Sequence, residues 1–247
     1  MKFIRIMAAV LATGLCLASA AFAAPKNVTV ATDATWPPME FTDANKKIVG
    51  FDIDFMNAVA KEAGFQVTFK NTAWDGIFAG IAAGQYDAII SSVTITAERK
   101  AKFDFTAPYI SIGQILVVPK AEKGNKVADL KGKRVGAQIG TTGAMEIKKA
   151  AGVELKTYDE VGLAFEDMAA GRISGVVCDQ PTAVTYALDK KEYSNKFKIV
   201  GKPFTTEAYG IVVKKGNKEL LNLLNKGIAS VQKKKIDAQL KKNWHLK

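Results

Sequence analysis

Arg99 is the first residue whose position asks for a chemical reason. Thr96 is a natural N-cap, which puts Arg99 in the first turn of a helix. A cation there opposes the helix macrodipole, at a cost of a few tenths to about 1 kcal/mol. Two readings account for it: the guanidinium grips an anion bidentately, or it leans outward to a surface carboxylate. Gly140-Thr141-Thr142-Gly143, ahead of Ala144-Met145-Glu146, reads as a second helix start. Its free backbone N–H groups suit an anion, although threonines at such a start often serve only as caps. Asp179 follows an apolar run and precedes Gln180-Pro181, where it either caps a helix or faces a ligand. There is one histidine, His245, and there are two cysteines, Cys16 and Cys178. That inventory argues against a histidine metal site and against any triad that needs a buried imidazole. No metal or cofactor is expected.

These groups need a packed scaffold, and the composition supplies one. The chain has 247 residues, 48% of them hydrophobic and 24% charged, with Gly 20 and Pro 7, which is a globular profile. The formal net charge is +11, from 35 Lys+Arg against 24 Asp+Glu. The lysines are spread along the chain. Their densest group, Lys233 to Lys235 with Lys241 and Lys242, falls on a helix whose apolar positions are Leu220, Leu224, Ile228 and Val231. It reads as the wet face of that helix, so no nucleic-acid partner is expected.

Residues 1–23 read as an address. Lys2 and Arg5 precede a short apolar run that ends Ala21-Phe22-Ala23, the pattern of a secretory signal peptide. The run is shorter than the roughly 20 residues a membrane span needs. Leu15 precedes Cys16, which does not suit a lipoprotein signal, so cleavage is expected near Ala23 without a lipid anchor. Export to a periplasm follows. Only Cys178 then remains, so no intrachain disulfide is expected.

Beyond residue 26, strand and helix patterns alternate. Asn27 to Thr32, Gln66 to Lys70, Asp87 to Ser92, Gln114 to Val118, Arg134 to Gln138 and Gly175 to Cys178 read as strands. Helices are expected over residues 52–63 and 75–83, capped by Asp52 and Asp75, and over 144–150 and 163–170. Alternation of this kind argues an α/β fold with mainly parallel sheets. Gly84-Gln-Tyr-Asp-Ala-Ile-Ile is echoed by Gly171-Arg-Ile-Ser-Gly-Val-Val, each after a short apolar helix. The echo suggests two similar lobes with a cleft between them. Polar residues just beyond the strand ends, Ser91-Ser92 and Cys178-Asp179, would face that cleft.

Several phrases together carry a family resemblance. They are residues 31–41 (ATDATWPPMEF), 50–54 (GFDID), 92–100 (SVTITAERK), 104–109 (DFTAPY), 140–143 (GTTG), 177–181 (VCDQP) and 209–213 (YGIVV). The chain resembles the polar amino-acid-binding proteins of bacterial ABC importers, of the glutamine, histidine and lysine/arginine/ornithine type. The resemblance implies the two-lobed periplasmic-binding-protein fold, each lobe a mostly parallel sheet flanked by helices, with a two-segment hinge. Lobe one is expected over residues 24–112 and 205–247, and lobe two over 113–204. The crossings near Tyr109–Gly113 and Phe204–Ala208 form the hinge.

A free amino acid is a zwitterion, so its binder needs a cation for the carboxylate and an anion for the ammonium. By resemblance, Arg99 takes the carboxylate with Thr141 and Thr142, and Asp179 takes the ammonium. Ser91, Ser92 and Thr94 can serve either group. Trp36 and Trp74 fall where relatives place groups that flank the ligand. With Asp33 they suit a long cationic side chain, through cation–π contact worth about 0.5–2 kcal/mol. Gln138 stands at a position that varies with specificity among relatives. The neighbouring Cys178 is an unusual residue at its position.

The resulting expectation is a carrier for a free polar amino acid, basic rather than glutamine, that delivers it to an inner-membrane ABC permease. A hinge-closing carrier is most simply a monomer. Two alternatives are an enzyme on the same scaffold, like cyclohexadienyl dehydratase, and an exported amino-acid sensor. The enzyme would need a spare carboxyl in the cleft, for which Asp33 and, less well, Glu40 are the candidates.

Overall fold

In the computed structural model, which describes residues 27–246, the apolar runs pair into two five-stranded sheets. The first is ordered Gln66–Asn71, Asn27–Thr32, Ala88–Ile89, Val212–Lys214, Phe103–Phe105. Asn27–Thr32 runs parallel to both its neighbours, and Val212–Lys214 antiparallel to both of its own. The second is ordered Glu154–Tyr158, Arg134–Gln138, Gly175–Asp179, Gln114–Pro119, Phe197–Val200. It repeats the pattern, with Arg134–Gln138 parallel to its neighbours and Gln114–Pro119 antiparallel to its own. The sequence echo falls on the third parallel strand of each sheet.

The mixture of directions has a covalent cause. Parallel neighbours need a crossover, and here helices supply it: Phe51–Ala63 and Ile77–Ala82 in one lobe, Thr142–Lys149 and Val161–Ala169 in the other. Gln114 and Val212 instead follow stretches that pass between the sheets, so their strands are free to run the other way. Those stretches contain Ile110–Ile112 and Glu207–Tyr209, which pair antiparallel with each other.

The cores follow the periodicity. Phe51, Phe55, Met56 and Val59 share the buried face of helix Phe51–Ala63. That face meets the buried Leu220, Leu224, Ile228 and Val231 of helix Lys218–Lys233. Each such side chain contributes about 1.5–3 kcal/mol by leaving water. Lys233, Lys234 and Lys235 remain exposed. Among the described residues no helix is long and apolar enough to cross a membrane, and no cluster suited to a metal ion occurs. The signal-peptide reading of residues 1–23 lies outside the described residues.

Two expected caps are corrected. Gly50 and Gly76, not Asp52 and Asp75, occupy the N-cap positions of helices Phe51–Ala63 and Ile77–Ala82. Asp52 lies inside its helix with a fully buried side chain, so its carboxylate is committed to another task. Thr96 and Thr141 do cap, accepting from the N–H groups of Arg99 and Ala144.

Candidate functional site

Between the two sheets, at the carboxyl ends of their parallel strands, twelve residues line one narrow cleft. They are Asp33, Trp36, Glu40, Trp74, Ser91, Ser92, Thr94, Arg99, Gln138, Thr141, Thr142 and Asp179. The fold therefore brings all the sequence-predicted site residues into one cleft, together with Glu40, the weaker of the two carboxyl candidates for an enzyme. A larger apolar groove, lined in part by Pro37, Pro38, Phe41, Tyr186 and Trp244, lies outside the cleft. It contains neither Arg99 nor Asp179.

Arg99 is 9% exposed, held by its short helix at the mouth of the first lobe. Its Nη1 donates to the Thr94 carbonyl at 2.9 Å and its Nη2 to the Gly140 carbonyl, in the other lobe, at 3.1 Å. The guanidinium lies 5.4 Å from the Trp74 ring centroid and 5.3 Å from that of Phe78. Burial lowers its pKa, and the Asp179 and Glu207 carboxylates oppose that. An arginine stays charged under such conditions. The outward-leaning alternative is excluded, and N–H groups are left over for an anion.

Asp179 stands at the N-cap of helix Gln180–Val184, with Pro181 in the first turn, yet makes no side-chain cap. Its carboxylate turns into the cleft and accepts from Gln114 Nε2 at 2.5 Å. Burial, helped by the charge of Glu207, pushes its pKa up to about 7. A desolvated carboxylate of this kind gains most from an incoming cation.

The far end of the cleft is built around Asp33, 4% exposed. It accepts from Thr35 Oγ1 at 2.8 Å and, across the lobes, from Gln138 Nε2 at 2.9 Å. Gln138 also donates to the Asp159 carbonyl at 2.7 Å. Burial raises the Asp33 pKa, and these hydrogen bonds work against the rise. Trp36 and Trp74 are buried beside it.

The floor is a left-handed turn at Ser92, φ 49°, which presents Ser91, Ser92 and Thr94. Asp52 accepts from the Ser92 N–H and the Tyr109 hydroxyl, both at 2.8 Å. Glu40 accepts from Ser91 Oγ at 3.2 Å and Ser92 Oγ at 3.1 Å. Burial pushes Asp52 up to about 6, and burial with the neighbouring Asp52 and Asp33 holds Glu40 well above the usual carboxylate range. These two acids support the floor that the serines form.

Sequence reasoning missed two residues at the back of the cleft, Gln114 and Glu207. Glu207 Oε2 accepts from Thr94 Oγ1 and Thr142 Oγ1, both at 2.8 Å, and Glu207 Oε1 from Thr205 Oγ1 at 2.8 Å. Gln114 Nε2 bridges Asp179 and Thr142. The available signal was the placement of both residues at the chain crossings. Cys178 is buried beneath Asp179 as a free thiol, its pKa pushed well up by burial and by that aspartate.

Comparison with known proteins follows the same geometry. The sequence profile of the bacterial extracellular solute-binding proteins, family 3, matches residues 28–247. The L-cystine-binding protein TcyJ of Escherichia coli (strain K12) is 34% identical over 218 residues, covering 87% of this chain and 81% of the relative. ABC transporter arginine-binding protein 1 of the same strain is 34% identical over 241 residues, 97% of each chain. A solved structure of an ancestral arginine-binding protein bound to glutamine superposes with TM-score 0.84 at 41% identity, covering 90% of this chain and 98% of that one. With its two lobes and the cleft between them, the chain belongs to the bacterial extracellular solute-binding proteins, family 3.

Proposed function

We propose that the protein captures one free amino acid in the periplasm and delivers it to an inner-membrane ABC permease. One observation carries the reading. A buried cation, Arg99, and a buried anion, Asp179, come from different lobes and face one small cleft. Arg99 and the helix start at Thr141 and Thr142 take the α-carboxylate, and Asp179 takes the ammonium. Ser91, Ser92 and Thr94 complete the head-group contacts. The side chain lies between Trp36 and Trp74 and ends near Asp33 and Gln138. Lobe one comprises residues 24–112 and 205–247, and lobe two 113–204, moving about the two crossings. The permease recognises the closed form, so capture and delivery are linked through closure.

A basic side chain is favoured over glutamine. With Glu40 held well above the usual carboxylate range and bonded to the floor serines, the cleft lining leaves two carboxyl groups for a ligand, Asp33 and Asp179, against one cation, Arg99. An arginine, lysine or ornithine side chain adds the missing positive charge beside Asp33 and two indoles. A dipolar second head group, as in cystine, would need a second cation, and among the described residues Arg99 is the only one lining the cleft. Glu207 already accepts three hydroxyl hydrogen bonds, so it behaves as an acceptor and does not revive the enzyme alternative.

The test is isothermal titration calorimetry on protein stripped of carried-over ligand by unfolding and refolding. L-arginine, L-lysine, L-ornithine, L-glutamine, L-histidine and L-cystine are the titrants. A micromolar dissociation constant, about −8 kcal/mol, is expected for a basic amino acid, and at least tenfold weaker binding for glutamine. Tighter binding of glutamine or cystine would overturn the basic preference. Absence of binding by all amino acids would overturn the carrier reading.

A further inference from the structure

Glu207 is a carboxylate outside the cleft lining, with one oxygen on its neighbour Thr205 and the other on two threonines of the lining. It sits on strand Glu207–Tyr209, paired to Ile112 of the other crossing strand. Its link to Thr94 is local. Thr94 bridges to Tyr209, and the Ile95 N–H donates to the Ala208 carbonyl at 2.8 Å, so this part of the first lobe is joined directly to the crossing strand. Its link to Thr142 has a different character. Thr142 is the first residue of helix Thr142–Lys149, in the second lobe. One oxygen of Glu207, Oε2, receives both threonine hydroxyls at 2.8 Å. Gln114 Nε2 lies within 3.5 Å of the same oxygen and donates to Asp179.

We propose that Glu207 is a closure latch, a positioning residue that couples the head-group site to the hinge. The inference rests on the carrier reading and deepens it. When the lobes part about the crossings, Thr94 stays with Glu207 and Thr142 leaves. The Glu207–Thr142 hydrogen bond therefore belongs to the closed state. It has a second consequence. Each threonine hydroxyl spends its only hydrogen on Glu207 and keeps lone-pair capacity for other donors, one of which, at Thr142, is Gln114 Nε2 at 3.1 Å. Together with Asp179 they form an acceptor-rich corner for an ammonium group. A neutral residue at 207 would free those hydroxyls to rotate and would remove the charged end of the latch.

The experiment is a double-mutant cycle between Glu207→Ala and Thr142→Val, read by the affinity and dissociation rate of L-arginine and of L-glutamine. Valine keeps the Thr142 backbone N–H and removes only the hydroxyl. Each single change is expected to weaken binding by about tenfold or more, mainly through faster dissociation, as suits one hydrogen bond to a charged group. The double change should be little worse than either single change. A residue that merely supports the hinge strand would not be coupled to Thr142, and multiplicative effects would overturn the latch. Glu207→Gln, which preserves the side-chain volume, repeats the cycle if the alanine variant does not fold. If the wild-type protein binds neither probe, the carrier reading fails by itself. The latch is then judged on ligand-free small-angle scattering, where a larger radius of gyration for E207A supports it and an unchanged radius overturns it.

Discussion

Asp179 is a carboxylate whose usefulness depends on its discomfort. Burial lifts its pKa to about 7, so near neutrality the empty site holds a carboxyl poised to ionise. An ammonium favours the charged form, and ligand binding must lower that pKa. The sign follows by linkage: affinity is level above about pH 7 and falls as the pH drops toward the bound-state pKa, by up to about tenfold per unit. Calorimetry between pH 5.5 and 8.5 checks it, and a flat profile would remove Asp179 from the ammonium site. Because the folded pKa is raised above the unfolded value of 3.8, the same group favours the fold below pH 4 and loses that contribution as the pH rises through 7. Asp179→Asn should therefore weaken amino-acid binding at least a hundredfold while raising the melting temperature of the ligand-free protein at pH 8. Arg99→Lys is a second test at this scale. It keeps the charge but cannot bridge the Thr94 and Gly140 carbonyls while offering a planar fork, so at least a tenfold loss of affinity is expected. Both roles were visible as alternatives from a cap and a proline nearby. The burial of Arg99 and the absence of a cap bond at Asp179 support the proposed ligand-facing role of each.

Helix starts tell why other parts were harder to read. An aspartate near the beginning of an apolar helix satisfies the capping pattern, so Asp52 and Asp75 looked like caps. The chain instead turns at glycines: Gly76 for its left-handed backbone, φ +94°, and Gly50 because a close backbone approach also leaves no room for a side chain. Gly50 has φ +136°, and a Cβ there would lie 2.1 Å from the Met39 carbonyl oxygen. Gly50→Ala should cost about 3 kcal/mol or more, since both the conformation and the space are denied. Gly84 is the control. It has φ +75° with nothing within 4 Å of the place a methyl group would take, so Gly84→Ala should cost only about 1–2 kcal/mol. Urea unfolding of the two variants separates them, and equal losses would show that crowding at Met39 is relieved by movement. Once Gly50 turns the chain, Asp52 is carried inside and is available to hold the Ser92 turn. That contact joins residues 40 positions apart. Glu207 and Thr142 are 65 apart, and Gln114 and Asp179 also 65. Periodicity, caps and turns report neighbours along the chain, so strands, helices and the repeated lobe were legible, whereas pairs made only by folding left no local mark.

At the scale of the whole molecule, side-chain contacts join the two lobes, among them Arg99 to Gly140, Asp33 to Gln138, and Glu207 to Thr142. They describe a closed arrangement in which the protein's own groups partly occupy each other. Gln138 places an amide N–H on Asp33, where a ligand's cationic group would bind, and the Gly140 carbonyl takes an N–H of Arg99. Such contacts are individually weak, because each replaces hydrogen bonds to water at a net gain of about 0.5–3 kcal/mol. A ligand that bridges Arg99 and Asp179 adds contacts that exist only when the lobes meet, and so shifts the population toward closure by its differential affinity. Small-angle scattering with a saturating basic amino acid should accordingly give a smaller radius of gyration than the ligand-free protein, and Asp179→Asn should abolish the change. The same linkage sets the thermal response: at a ligand concentration a thousand times the dissociation constant, stability should rise by about 4 kcal/mol. Gln138→Ala discriminates between two uses of the cross-lobe amide. If Gln138 chiefly holds the lobes together, its loss weakens every amino acid alike. If it chiefly shields Asp33, its loss opens that carboxylate to a longer cationic side chain and improves arginine relative to glutamine. The second outcome is expected, because Asp33 keeps its Thr35 partner and is the charge that a basic ligand must reach. A uniform loss would reassign Gln138 to closure alone.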